Sequence, residues 1–66
     1  MKLWKVTANG AGWSSAETFY FDSKKRAEKF NRDILDSGKV SDGVQYAGNY
    51  KAENAKELLS MTEKEL

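Results

Sequence analysis

Few side chains in this sequence belong to the types that carry out catalysis. Ser14 and Ser15 could offer a hydroxyl nucleophile, but the 66-residue chain has no histidine and no cysteine. A serine would therefore need a lysine or carboxylate base inside a dry pocket. A chain of this length buries only about 60% of the surface that it exposes when unfolded, which leaves little interior for such a pocket. We expect a protein that is not an enzyme.

The acidic residues and glycines match no cofactor or metal motif. Asp33 and Asp36 have a spacing that is common on solvated helices, and the segment from Asp36 to Asp42 lacks the alternating oxygen ligands of a calcium loop. Gly10 and Gly12 begin a G-x-G pattern, but the third glycine and the following helix of a dinucleotide site are missing. Without cysteine or histidine a Cys/His zinc site is excluded as well. We expect no cofactor and no metal.

Cations occupy an unusual place in the strongest predicted helix. Lys24, Lys25 and Arg26 fill its first turn. Asp33 and Asp36 lie towards its end, whereas the helix macrodipole favours the opposite polarity by roughly 0.3–1 kcal/mol for each exposed charge. The positive pole suits phosphate or an acidic protein surface, although such cations could equally serve only solubility.

Aromatic residues are numerous for so small an interior, at 12% of the chain. Trp13 lies in a glycine- and serine-rich loop, where it would either anchor a protein interface or fold back onto the sheet. Tyr20 lies on the strand face opposite the core phenylalanines. With Tyr46 or Tyr50 it would form a cluster on an uncovered sheet face, suited to nucleobases, to a protein or to a second copy, unless the second helix covers that face.

The hydrophobic periodicity predicts the strands that position these residues. Residues 2–8 and 16–21 alternate between apolar and polar side chains and predict an antiparallel hairpin. Residues 39–43 read as a loop, and residues 44–50 predict a third strand whose even-numbered residues share one face. Gly48 in the middle of that strand indicates a bulge or a close backbone approach.

Helical periodicity predicts two helices. An apolar stripe that runs from Ala27 to Leu35 indicates a helix over 23–36, with Asp22 or Ser23 as its N-cap and Gly38 just beyond its end. A second, shorter helix is predicted over 53–60.

The tail, residues 61–66, carries a second helix-start signal, in which Thr62 is followed by Glu65 with almost no helix left. We expect either a frayed last turn or a short segment that becomes ordered on a partner.

The element order ββαβα predicts a small α+β domain that comprises residues 1–66. Its three-stranded, mainly antiparallel sheet packs on helix 23–36. An open edge of this sheet could accept or donate a strand.

The net charge of +1 favours a protein partner over nucleic acid, because counterion release by excess cations supplies most nucleic-acid affinity. No apolar run is long enough to cross a bilayer, and Met1 is followed by no signal-peptide pattern, so we expect a cytoplasmic protein.

We expect a non-enzymatic protein-binding module, a small inhibitor or modulator of a larger protein, of which a phage-encoded effector is one natural instance. The alternative is a small nucleic-acid-binding protein that uses the basic helix N-terminus and exposed tyrosines, and a homodimer is also open. The predicted contact residues are Trp13, Tyr20, Lys24, Lys25, Arg26, Tyr46 and Tyr50.

Overall fold

The computed structural model describes residues 1–10, 12 and 14–65. Three strands and two helices follow one another along the chain: β1 (Lys2–Asn9), β2 (Glu17–Phe21), α1 (Lys24–Asp36), β3 (Val40–Asn49) and α2 (Ala52–Glu65). The strands form one antiparallel sheet in the order β2-β1-β3. The predicted small α+β fold with the order ββαβα is therefore confirmed.

β3 and α2 are several residues longer than predicted. β3 begins at Val40, so that residues 39–43, predicted as a loop, are mostly strand. Its pairing with β1 is irregular there and Gly43 has a φ of +84°, which breaks the alternation by which a strand is recognised in a sequence. α2 begins at Ala52 and extends to Glu65; the predicted tail is thus helical as far as Glu65, and its helix-start signal starts no separate element.

One layer of the core lies between the sheet and α1. Its buried side chains are Val6, Ala8, Phe19, Phe21, Ala27 and Ile34. The ring of Phe30 lies 4.8 Å from that of Phe19 and 5.2 Å from that of Phe21. Leu35 was predicted to belong to the same stripe but is 52% exposed. The reason is that consecutive helical residues point about 100° apart, so Leu35 turns away from the side of α1 that buries Ile34.

α1 begins and ends as the sequence predicts. The Ser23 side chain accepts a hydrogen bond from the backbone N–H of Arg26 at 3.4 Å, as an N-cap does. Gly38 has a φ of +83°, and its N–H and that of Lys39 donate to carbonyls of the last turn at 3.1 Å. This is the Schellman arrangement that glycine allows at little conformational cost.

α2 lies beside β2 and provides a second, smaller buried layer. Leu3 and Ala55 of this layer are fully buried. The backbone N–H of Tyr20 donates to the Thr62 hydroxyl at 2.7 Å. Because β2 is an edge strand, this bond satisfies a backbone donor that faces away from β1, and α2 thereby covers the edge at Tyr20.

Candidate protein-interaction surface

The three tyrosines of the predicted cluster lie in different environments. Tyr20 is half-buried beside α2, where it lines a narrow cleft with Leu58. Tyr46 is 55% exposed. Tyr50 is half-buried, and its hydroxyl donates to the Ala47 carbonyl at 3.2 Å. The structure does not bring these side chains together on an uncovered face.

A bulge in β3 separates Tyr46 from the residues that follow it. Tyr46 pairs with Trp4, but Gly48 pairs with Leu3, so one extra residue, Ala47, lies between the two pairs. Because neighbouring residues of a strand point to opposite faces, Tyr46 shares the α1 face with Trp4 and Gly48 shares the other face with Leu3. The bulge that Gly48 indicated is confirmed. The prediction that the even-numbered residues of β3 share one face is wrong, because the bulge turns Gly48 to the face opposite that of Tyr46.

The two edges of the sheet differ. α2 contacts the β2 edge through the hydrogen bond of Thr62 to Tyr20, whereas within the described residues no other strand or helix pairs with the outer edge of β3. Register shifts near both ends of β3 leave Val44–Tyr46 as its regular central stretch. Bulges of this kind limit edge-to-edge strand pairing, so side chains must contribute most of any contact on this side.

Apolar side chains border this open side of the molecule: Leu35 and Tyr46 are exposed, and Val44 is half-buried. Leu35 of α1 and Val44 of β3 border one shallow groove. The Tyr46 ring packs edge-to-face against Trp4, with ring centroids 5.9 Å apart. The hydroxyl of Ser41 donates to the side-chain oxygen of Asn31 and ties α1 to β3 under the groove. We call this the β3-side surface and define it by Leu35, Val44 and Tyr46 with Lys24, Glu28 and Arg32.

The predicted basic pole divides between two sides of α1. Lys24, Lys25 and Arg26 are all exposed. Lys24 borders the groove of the β3-side surface, and Lys25 and Arg26 border the solvent-facing side of α1. Arg26 forms an ion pair with Asp22 at 3.1 Å, and such an exposed pair is worth about 0–1 kcal/mol. Lys24 is thus the member of the pole that lies beside exposed apolar side chains.

Trp13 lies outside the described residues, so its predicted contact role stays a prediction. The sequence did not single out Leu35, Val44 or Arg32 as contact residues. An available signal was that Leu35 directly follows Ile34, since neighbouring helical side chains point about 100° apart and only one of the two can point straight at the sheet.

Two other kinds of site have no counterpart in the described part of the chain. Among residues 1–10, 12 and 14–65, no three acidic side chains lie close enough together to hold a metal ion. No helix over the same residues is long and apolar enough to traverse a bilayer.

Comparisons with known proteins add no assignment. No protein-family model, curated protein or solved structure matches this chain. Its function is therefore inferred from its surface chemistry.

Proposed function

We propose that this chain is a cytoplasmic, non-enzymatic protein-binding module that binds another polypeptide through the β3-side surface. The observation that carries the proposal is Tyr46 of β3, which is 55% exposed and packs against Trp4 beside the sheet edge with which no described strand or helix pairs. Burial of such a side chain against a partner would remove a large apolar area from water at a small cost in side-chain entropy.

The composition of the β3-side surface supports a protein partner. Tyr, Trp and Arg are enriched in the centres of protein interfaces, where they form most energetic hot spots. Here Tyr46 and Leu35 supply an apolar centre, and Lys24 and Arg32 supply charged neighbours. A module without catalytic chemistry acts by occupying a surface, which is how it would inhibit or modulate a larger protein.

We expect Tyr46→Ser to weaken binding of a captured partner at least about thirtyfold, since truncation of a hot-spot residue costs about 2 kcal/mol or more. The partner is captured from a lysate, identified, and titrated against each variant by calorimetry. Met61→Ser is the matched control, because Met61 is 58% exposed on α2, away from this surface. Equal loss in both variants, or none in Tyr46→Ser, would contradict the proposal.

The second candidate is a nucleic-acid-binding protein, which the cations of α1 favour: Lys24, Lys25, Arg26, Lys29 and Arg32. A phosphate backbone presents closely spaced negative charge and would also meet Glu28, Asp33 and Asp36 on the same helix. Tyr20 and Tyr46 lie on opposite faces of the sheet, which argues against a stacking platform formed by this pair. Both observations favour a protein partner.

Salt dependence distinguishes the two candidates. A nucleic-acid binder loses affinity steeply between about 50 and 200 mM salt, in proportion to its phosphate contacts. For a protein-binding module we expect no binding of a fluorescent single-stranded oligonucleotide at any salt concentration in this range. Tight binding at low salt that falls steeply, and that is lost in a Lys24→Glu, Lys25→Glu and Arg26→Glu variant, would instead establish the second candidate.

A further inference from the structure

We infer that the partner of the β3-side surface is an acidic polypeptide segment, which places an apolar side chain beside Leu35 and its carboxylates along α1. This inference rests on the proposed function, because it names the chemistry of the partner that the same surface binds. Three features of the described residues carry it: cations of α1 that have no ion pair, a concavity on α1 that continues the groove of the β3-side surface, and exposed apolar side chains next to both.

Positive charge is concentrated in residues 22–32, which include most of α1. These residues contain five cationic and two acidic side chains, an excess of three positive charges. The whole chain has a net charge of only +1, so the remainder of the chain is net acidic. The field of such a segment attracts carboxylates to α1 rather than to the remainder of the surface.

Most of these cations are not neutralised within the chain. Arg26 forms the ion pair with Asp22 that is described above. The other four cations of α1 are exposed and form no ion pair with any described residue: Lys24, Lys25, Lys29 and Arg32. The N-terminal end of the helix adds partial positive charge of its own. These charges are therefore available to the carboxylates of a partner.

Three of the unpaired cations form one face of α1. Successive helical residues turn by about 100° and rise by about 1.5 Å, so Lys25, Lys29 and Arg32 lie within about 60° of one another and span about 10 Å along the axis. We call these three residues the basic face of α1. They border a shallow concavity in which Glu28 is the one described carboxylate. Two turns of a helix or about three extended residues span the same length, so a short acidic segment is sufficient to cover it.

The basic face of α1 is continuous with the β3-side surface. Glu28 and Arg32 border both the concavity of the basic face and the groove that contains Leu35 and Val44. A segment that lies across Arg32 therefore reaches cations on one side and the 52% exposed Leu35 on the other. A purely apolar partner would bury the cations without counter-charges, which is costly, and a purely acidic one would leave Leu35 in water. The surface thus fits a segment that combines carboxylates with an apolar side chain.

The acidic residues of α1 favour the carboxylates of a polypeptide over the phosphates of a nucleic acid. Glu28 lies between Lys24 and Arg32 on one ridge of the helix, where a continuous row of phosphates would face it. Asp33 and Asp36 follow towards the end of α1, so the cationic stretch is short. A polypeptide separates its carboxylates by neutral side chains and can place one of these opposite Glu28.

The test is the selection of peptides from a random, surface-displayed dodecapeptide library on the immobilised full chain. We expect the enriched peptides to combine several Asp or Glu residues with at least one large apolar residue. Each enriched peptide is synthesised with a fluorescent label and titrated by anisotropy. The combined change Lys25→Glu and Lys29→Glu should weaken its binding at least about tenfold, because it places like charges opposite each other. Leu35→Ser should weaken binding about tenfold as well, through the loss of buried apolar area.

The combined change Lys56→Glu and Lys64→Glu is the matched control. It alters the net charge by the same amount, at two lysines that are exposed on α2. Charges that lie farther than about 8 Å from a bound peptide are largely screened at physiological salt, so this control should leave binding unchanged. Circular dichroism of every variant checks that it is folded.

Enriched peptides without acidic residues, no enrichment, or binding that survives the double change at Lys25 and Lys29 would overturn the inference. A single-stranded oligonucleotide that displaces the peptides and binds more tightly would overturn it in favour of nucleic acid. If the enriched peptides are not acidic but lose binding in Tyr46→Ser, the proposed function stands and only the acidic chemistry is wrong. Acidic peptides that bind Leu35→Ser and Tyr46→Ser as tightly as the wild type would contradict both, since the β3-side surface would then take no part.

Discussion

Leu3→Ala is expected to lower the free energy of unfolding by about 2–5 kcal/mol, the range found for buried leucines. Leu3 lies in the central strand β1 and is 0% exposed. It lies on the sheet face opposite the α1 cluster, so truncation opens a cavity that α1 cannot fill. Small domains have only about 3–5 kcal/mol of stability from a single core, and this variant should therefore be largely unfolded at room temperature.

Urea denaturation followed by tryptophan fluorescence measures this effect. The same substitution at an exposed site of the same chain, Leu35→Ala, is the control and should change the free energy of unfolding by only about 0.5 kcal/mol. Equal values for the two variants would mean that the layer between the sheet and α2 is not a true core.

Thr62→Val should destabilise the chain by about 1–3 kcal/mol, although the two side chains have nearly the same shape. The substitution leaves the Tyr20 N–H without its acceptor at 2.7 Å, and an unsatisfied donor in a covered position carries this cost. Thr62 itself is only 4% exposed, so water cannot readily replace the lost hydroxyl.

Thr62→Ser is the matched variant for this prediction. It keeps the hydroxyl and removes one methyl group, which costs about 1 kcal/mol when buried. The order of stability should therefore be wild type, Thr62→Ser, Thr62→Val, measured by chemical denaturation, and the Tyr20 amide should exchange with deuterium faster in Thr62→Val. A valine variant as stable as the wild type would show that packing alone holds α2 on β2.

Local sequence signals account well for β1, β2 and α1. Alternation along the hairpin strands and the stripe through Ala27 and Ile34 each reflect burial on one face, which is recorded directly in residue type. Ser23 and Gly38 fix the ends of α1 through their own backbone and hydroxyl chemistry. These three elements can be predicted without knowing which residues lie near them in the folded chain.

The elements that the sequence predicted less well depend on contacts between distant residues. The face of Tyr46 depends on the register between β3 and β1 across the bulge at Ala47. The length of α2 depends on Thr62, whose hydroxyl meets an edge strand 42 residues away along the chain. Neither contact leaves a periodic pattern in the local sequence.

The candidate surface was predictable only in part. Lys24 and Tyr46 were both expected contact residues, and the structure places them at the open side of the sheet. Leu35 was assigned to the core because it is apolar. Residue type alone does not reveal that the sheet ends at β3. For Tyr20 the sequence left open whether the second helix covers its face, and α2 lies beside Tyr20.

Backbone amide shifts in the NMR spectrum test the β3-side surface most directly. The spectrum of the isotopically labelled chain is followed as a captured partner is added. We expect the largest shifts at Leu35, Val44 and Tyr46, with smaller ones at Lys24 and Arg32. Shifts confined to α2 and β2, with Tyr46 unchanged, would contradict binding at this surface.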